Sequence, residues 1–558
     1  MYSILDSLVL RSSPIHLWRG RDHICTWSAE TLRESAARWA HTLRNSGAIP
    51  GAVVATCAPT SLELVAFILG TWQCGAAVVV LPELDHGSES SLRRVVDGLQ
   101  KLLPVVLLLD GKAPADLISQ VPIALSLDAA ETSTHPADMP PPYAATPETV
   151  CLMQLTSGST GRAKVVPITH KMLLKNCLAV SDRLEVRCDD HILSWLPLTH
   201  DMGFSGALCQ ALASDIELTL LPTALFAQSP LSLLQALSDQ QATLSPNPPA
   251  VYALLTRLGR RAQRDALDLS HWRFAWVGAE PVFAQVLQGF EAAMRPLGLR
   301  ENVLQPSYGM AEAVVALSFA PAGRRWRVLH VQARALRESG LVVPLQTSTS
   351  STPAKAGCEA LSLVSNGVPL DGVEIRVCDE QGDILAPGRQ GRLLVRAPWV
   401  SGGYLHGEDL DSFSEGWFDT GDLGFLWEGE VYVSGRVKDI ISRGGVKIGA
   451  HEIESVVEAE LDLRSGRVVA FACLDHSQGR ELIVVVVARR FGTREPALQD
   501  LLTKALLRQC GLRVDEFVFC GPGSLPKTTS GKLQRNLVRE RWLRGDSPTL
   551  SKPGKVDE

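Results

Sequence analysis

Thr156-Ser157-Gly158-Ser159-Thr160-Gly161-Arg162-Ala163-Lys164 places hydroxyl side chains, two glycines and a lysine within nine residues. Glycines let a backbone turn back on itself, so that successive N–H groups aim at one point. Hydroxyls and an ammonium group add donors, and the sum is a cradle for a polyphosphate. The stretch does not fit the G-x-x-x-x-G-K-[ST] spacing, so a nucleotide held here is gripped by a different scheme. On its amino side, the apolar run Val150–Leu155 predicts a buried strand. On its carboxyl side, Val165-Val166-Pro167 leads into a helix that Thr169 can cap.

Working outward from this loop, strands and helices alternate. Apolar runs at 105–110, Phe274–Val277 and 303–305 predict strands, and the patterns at 231–237 and 283–294 predict helices. Alternation of this kind favours an α/β fold with a mostly parallel sheet and helices on its faces. Residues 64–82 carry no charge over nineteen positions, long enough to raise a membrane span. Gln73, Cys74 and Gly75 interrupt the run, and it has no basic flanks. It reads as a buried helix over Leu62–Gln73, a break at Gly75 and a core strand over 76–81, with no stable membrane insertion.

The pattern changes near Gly435 to Lys438. Before it, short strands at 393–396 and 431–433 form a small β unit. After it come strands at 468–472 and 482–488 and a helix at 497–509. The expected division is a large region over 1–435, a smaller α/β domain over 436–545 and a disordered polar tail over 546–558. Residues 136–147 and 348–357 read as loops or linkers.

Composition narrows the function classes. A chain of 558 residues has room for about two to four domains at ~100–200 residues each. An apolar fraction of 46% and a charged fraction of 20% suit a globular protein with a sizeable core. The net charge of −6 is nearly neutral over this length and argues against a general nucleic-acid binder, which needs a strongly basic surface. Twelve scattered cysteines without a C-x-x-C pair are neither a zinc ribbon nor a disulfide framework, and read as reduced, buried thiols. Met1 to Asp6 shows no basic-then-apolar leader, so a cytoplasmic location is expected.

Four more segments join the loop. Tyr308-Gly309-Met310-Ala311-Glu312 follows a strand, where an aromatic face and a carboxylate can stack a base and hold Mg²⁺. Trp417-Phe418-Asp419-Thr420-Gly421-Asp422 offers a carboxylate for ribose hydroxyls. Gly435-Arg436-Val437-Lys438-Asp439 places an arginine at the domain break, and Pro526-Lys527-Thr528-Thr529-Ser530-Gly531-Lys532 ends in a lysine. Together and in this order, these segments resemble the adenylate-forming superfamily over nearly the whole chain. That superfamily contains acyl-CoA synthetases, fatty-acyl-AMP ligases, peptide-synthetase adenylation domains and luciferases.

The resemblance implies a large N-terminal region of stacked α/β subdomains plus a small mobile α/β C-terminal domain. It implies ATP and Mg²⁺, and a reaction in two steps. A carboxylate attacks the α-phosphate to give acyl-AMP and pyrophosphate, and a thiol then takes the acyl group and releases AMP. On this reading Thr156, Ser157, Gly158, Ser159, Thr160, Gly161 and Lys164 hold the β- and γ-phosphates, and Thr160 and Glu312 hold Mg²⁺. Gly278, Ala279 and Glu280 lie beside the adenine, Tyr308 stacks on it between Ser307, Gly309 and Met310, and Asp422 and Arg436 fix the ribose. Lys532 bridges the substrate carboxylate and the α-phosphate, where a cation between two anions lowers the barrier. Lys438 takes the hinge position, from which the C-terminal domain swings Lys532 away and brings Gly444-Gly445 to the thiol.

Trp195-Leu196-Pro197-Leu198-Thr199-His200-Asp201-Met202-Gly203 looks most like the fatty-acyl-AMP ligases, as do the segments 245–252 and 278–282 and an extra segment from about Pro321 to Leu363. Those enzymes pass the acyl group to the phosphopantetheine of a carrier protein. The implied substrate pocket contains Asp201, Met202, Gly203, Asn247 and Gly278, with His200 as a gate at its entrance, and an apolar, fatty or related acid is expected. Two features keep other readings open. Ile441-Ser442-Arg443-Gly444-Gly445-Val446-Lys447-Ile448 reads more like a CoA synthetase, and Asp201 sits where amino-acid-activating domains keep an aspartate for the substrate ammonium. The last helix, over 534–544, carries Arg535, Arg539, Arg541 and Arg544 and offers a basic face to an acidic carrier. A nucleotide-binding scaffold without chemistry would have no need of Lys532, Glu312, Asp422 and Arg436 together.

Overall fold

The computed structural model describes residues 4–6, 11–84, 89–110, 115–129, 143–156, 164–345, 360–443, 446–463, 466–475, 480–489, 495–527 and 533–545. Outside these fall Ser157, Gly158, Ser159, Thr160, Gly161, Gly444, Gly445 and Lys532. The proposed linker 348–357, most of the loop at 136–147 and the tail 546–558 lie outside them as well.

The charge-free run folds as its pattern requires. Ser61 Oγ accepts the Leu64 N–H at 3.1 Å and starts the helix Leu62–Gln73, in which only Glu63 is not buried. Glu63 in turn accepts the Trp39 indole N–H at 3.1 Å. The helix packs on Ala29–Asn45, and a Cβ at Gly70 would lie 2.7 Å from Trp39 Cβ, so the close approach needs glycine there. Gly75 has φ +74 and turns the chain into the strand Ala77–Val80. Phe67, Ile68 and Trp72 are fully buried, each contributing about 1.5–3 kcal/mol. No helix among the described residues is long and apolar enough to cross a membrane.

Two large sheets carry the N-terminal region. One has six strands in the order Ile123–Ser126, Val106–Leu109, Val53–Thr56, Ala77–Val80, Val150–Leu155, Val165–Thr169, all parallel except the last. The other has nine, in the order Val368–Pro369, Ser318–Phe319, Leu304–Tyr308, Phe274–Val277, Leu244–Asn247, His191–Ser194, Glu217–Leu220, Ile15–Trp18, Ile24–Trp27. Its central strands from Leu304–Tyr308 to Ile15–Trp18 are parallel, and its edges are antiparallel. One buried cluster joins the sheets, with Val54, Val78 and Val106 from the first and Ile192, Leu218 and Phe274 from the second. The loops after Ser194, Val277 and Tyr308 leave the carboxyl ends of parallel strands, where α/β sheets bind ligands.

Glu374–Cys378, Gly391–Arg396, Phe413–Ser414, Trp417–Trp427 and Glu430–Arg436 form an antiparallel sheet. The aromatic–acidic motif at 417–422 is therefore the start of an eleven-residue strand. The remainder folds around its own cores. One is drawn from residues between Ile441 and Phe519, the other from residues between Val469 and Val538. Val468–Asp475, Arg480–Ala488 and Glu516–Cys520 make its sheet, against the helices Ala450–Glu460, Glu495–Cys510 and Arg535–Arg544. The fold is thus mixed α/β, with a large N-terminal part and a small C-terminal one.

Candidate active site

A cavity of about 1610 Å³ opens where the carboxyl ends of the nine-stranded sheet face the third sheet and the C-terminal part. The donor-rich loop meets it at both ends. Thr156 and Lys164 line it, and the Thr156 N–H donates to the Lys164 carbonyl at 2.9 Å, which ties the two ends together. Lys164 Nζ pairs with Asp409 and lies 4.5 Å from the centre of the Tyr404 ring. Thr169 caps the following helix, His170–Leu184, by accepting the Met172 N–H at 3.2 Å.

The strand-end segments supply the opposite wall. Tyr308 is the last residue of Leu304–Tyr308 and is buried. Its hydroxyl donates to Asp422 Oδ2 at 2.8 Å, and Arg436 Nε donates to Asp422 Oδ1 at 3.0 Å. Asp422 and Arg436 are register partners on adjacent strands, so the sheet itself sets this pair. Burial pushes the Asp422 carboxyl up, against the pull of Arg436 and the Tyr308 hydroxyl. Burial, together with the Asp422 charge, also holds the Tyr308 phenol well above its usual range, so it stays a donor. Ser307, Gly309 and Met310 line the cavity beside Tyr308. A side chain at Gly309 would collide with the Val315 carbonyl, so glycine lets the chain fold back beneath the site.

Glu312 sits in the 3₁₀ turn Ala311–Ala313. Its Oε1 accepts the Tyr404 hydroxyl at 2.6 Å, and its backbone carbonyl accepts the Ser401 N–H at 2.8 Å. Desolvation pushes its carboxyl up, partly offset by the Tyr404 hydrogen bond. A carboxylate in this setting gains from a hard cation, and its oxygens suit Mg²⁺. Tyr404 and Asp409 were not anticipated from the sequence. Tyr404 follows Gly402-Gly403, an aromatic after a glycine pair, and that is the signal that marks it.

Not every anticipated residue reaches the cavity. Ala279 and Glu280 line it, and Ala279 holds the left-handed φ +72, uncommon for a non-glycine residue. Gly278 does not line it, and gives room to Ser307, whose Oγ would lie 2.6 Å from a Cβ at 278. His200, Asp201 and Met202 line the cavity, whereas Gly203 packs under the Pro197 carbonyl. Asn247 belongs to the core instead of the pocket. It is fully buried, its Oδ1 accepts the Trp195 indole N–H at 2.7 Å and its Nδ2 donates to Ser245 Oγ at 3.1 Å. Nor does Asp201 stand unpaired, because His200 Nδ1 lies 2.6 Å from its Oδ1, which also accepts the Met202 N–H at 2.7 Å.

The C-terminal part completes the wall. Lys438 lines the cavity, and its neighbour Asp439 pairs with Arg535 Nη1 at 2.5 Å. Arg535 also grips Glu454 at 2.9 Å, so the basic face reduces to the exposed Arg539, Arg541 and Arg544, the last of them 3.9 Å from Glu540. Lys527 and Leu533 both line the cavity and pair as an antiparallel bridge.

Residues 14–405 match the family model described as AMP-binding enzyme. The chain belongs to the AMP-binding enzyme family. It is an ATP-dependent adenylate-forming ligase, and the AMP-binding fold explains why the chain's scattered motifs meet at one cavity. A Caulobacter vibrioides protein provisionally named an acyl-CoA synthetase is 31% identical over 528 residues, covering 92% of this chain and 90% of that protein. The medium-chain-fatty-acid–[acyl-carrier-protein] ligase JamA of Moorena producens is 32% identical over 412 residues, covering 71% of this chain and 68% of JamA. A solved structure from a study of fatty acyl-adenylate ligases of E. coli and L. pneumophila superposes with a TM-score of 0.87 at 28% identity, over 98% of each chain.

Proposed function

We propose that this AMP-binding enzyme activates an apolar, fatty-type carboxylic acid and passes the acyl group to the phosphopantetheine thiol of a carrier protein. The observation that carries the acid half is the continuity of the cavity. The same cavity that Glu312 and Tyr308 line also has an apolar group in its wall, Met202, Trp276, Val315 and Phe319. Gly206 keeps this part open, because a Cβ there would lie 3.1 Å from Trp276 Cζ3. An amino acid would need a carboxylate waiting for its ammonium, and Asp201 Oδ1 already accepts the Met202 N–H at 2.7 Å and lies 2.6 Å from His200 Nδ1.

Within this site the Tyr308 ring stacks on adenine, and Asp422 with Arg436 receives the ribose hydroxyls. Lys164, with the loop from Thr156, holds the leaving pyrophosphate. Glu312 and Thr160 would hold Mg²⁺, which neutralises phosphate charge as the bond to the α-phosphate breaks. Lys532 bridges the attacking carboxylate and the α-phosphate. His200 stands at the mouth of the acid pocket. The joint between 1–435 and 436–545 lies at Lys438, where the Arg535–Asp439 pair braces one conformation of the C-terminal domain.

Tyr404→Phe tests the Glu312 assignment. Loss of a hydroxyl that orients a metal-binding carboxylate is expected to weaken apparent Mg²⁺ affinity about 10-fold, read from pyrophosphate exchange against Mg²⁺ concentration. An unchanged Mg²⁺ curve would remove Glu312 from the metal.

The acceptor half is supported by JamA, which is named as a ligase that joins a medium-chain fatty acid to an acyl carrier protein. Free CoA is the second reading, favoured by the segment at 441–448 and by the Caulobacter relative. Given a medium-chain acid, ATP, a holo-carrier protein and CoA, the enzyme is expected to load the carrier with kcat/KM at least ~10-fold above that for CoA. The reverse ranking selects the CoA reading.

A further inference from the structure

Three ligating side chains outside the adenylating site meet at the amino ends of the parallel strands, across the sheet from the cavity. His191 and Glu217 open the neighbouring strands His191–Ser194 and Glu217–Leu220 and are register partners, while His16 on Ile15–Trp18 pairs in register with Thr219. Glu217 Oε2 lies 3.4 Å from His16 Nε2 and 3.7 Å from His191 Nδ1. One ligand atom from each of the three residues lies within 4.8 Å of the other two.

The remaining ring nitrogens are held in place. His16 Nδ1 is 2.9 Å from the Thr26 hydroxyl, and His191 Nε2 is 2.8 Å from the Thr219 hydroxyl. Each imidazole therefore turns its other nitrogen toward Glu217, which is how metal-binding histidines are usually oriented. The two histidine side chains are only 13% and 9% exposed, and Glu217 is 48% exposed, so the group is walled on the protein side and open to solvent on the other. Tetrahedral zinc ligands at ~2.0–2.2 Å from the ion lie ~3.3–3.5 Å from one another. The two histidine–glutamate edges are near that spacing already.

We propose that His16, His191 and Glu217 form a binding site for a divalent transition metal of the zinc type. Two imidazoles and one carboxylate favour zinc, cobalt or nickel over Mg²⁺. The ion fastens the strand Ile15–Trp18 to the body of the sheet, and solvent completes its coordination from the open side. Without a metal, the same residues would be an ordinary carboxylate shared by two histidines, and the two cases separate experimentally.

Metal-free enzyme titrated with Co²⁺ is expected to bind one ion per chain at a ~micromolar dissociation constant, with the visible absorption of a tetrahedral site, and Zn²⁺ should displace it. His16→Ala and Glu217→Gln should each weaken binding at least ~10-fold and lose the absorption band. Both should keep wild-type pyrophosphate exchange in Mg²⁺, which also reports that they fold. Absence of saturable Co²⁺ binding to the wild type, or equal binding by the wild type and both variants, overturns the site.

Discussion

Lys532→Ala is expected to lower acid-dependent pyrophosphate exchange by at least ~10³-fold while ATP binding stays within ~3-fold. Adenylation brings a carboxylate oxygen against a phosphate that is itself negative. One preorganised donor to developing charge contributes about 3–4 kcal/mol, and a full cation between two anions contributes at least that. In the proposed assignment ATP is held by other groups, the loop from Thr156 to Lys164 and the pair Asp422–Arg436, so the loss is expected in the transition state. Lys527 and Leu533, which bridge to one another on the cavity wall, flank the segment that carries Lys532. Exchange at the wild-type rate in this variant would remove the lysine from the chemistry.

The second large effect is expected from Asp422→Asn. The substitution keeps the shape but removes the charge that accepts the Tyr308 hydroxyl at 2.8 Å and Arg436 Nε at 3.0 Å. A charged acceptor that hydrogen-bonds the ribose hydroxyls contributes about 1.5–3 kcal/mol, and the burial of Asp422 puts this one at the upper end. About 3 kcal/mol corresponds to a ~10²-fold fall in kcat/KM for ATP. Steady-state kinetics at varied ATP read it, with a thermal melt to show that the fold is kept. A kcat/KM within ~3-fold of wild type would show that the ribose is held elsewhere.

Much of the fold could be read where local rules act alone. The helix Leu62–Gln73 carries its own start and stop signals, Ser61 and Gly75, and the strand Phe274–Val277 is a short apolar run on a buried parallel position. Strand order was not legible, since pairing Val150–Leu155 with Ala77–Val80, or His191–Ser194 with Leu244–Asn247, depends on contacts far apart in sequence. The site divides in the same way. Tyr308, Glu312, Asp422 and Arg436 sit in motifs whose residue types announce their chemistry, and they converge on one cavity. Asn247, placed in the pocket by the family resemblance alone, is instead held in the core by the Trp195 indole, a partner 52 residues away. Tyr404 was missed because its partner Glu312 lies 92 residues away, and no local pattern links the two. Arg535 looked like part of a docking face until Asp439 and Glu454 folded against it.

The most direct measurement is mass spectrometry of the products formed from the enzyme, Mg²⁺, ATP and a medium-chain fatty acid without any thiol. Acyl-AMP and pyrophosphate in equal amounts, both dependent on the acid, are the predicted result. Release of ADP and orthophosphate, or pyrophosphate formed at the same rate without acid, would contradict the account.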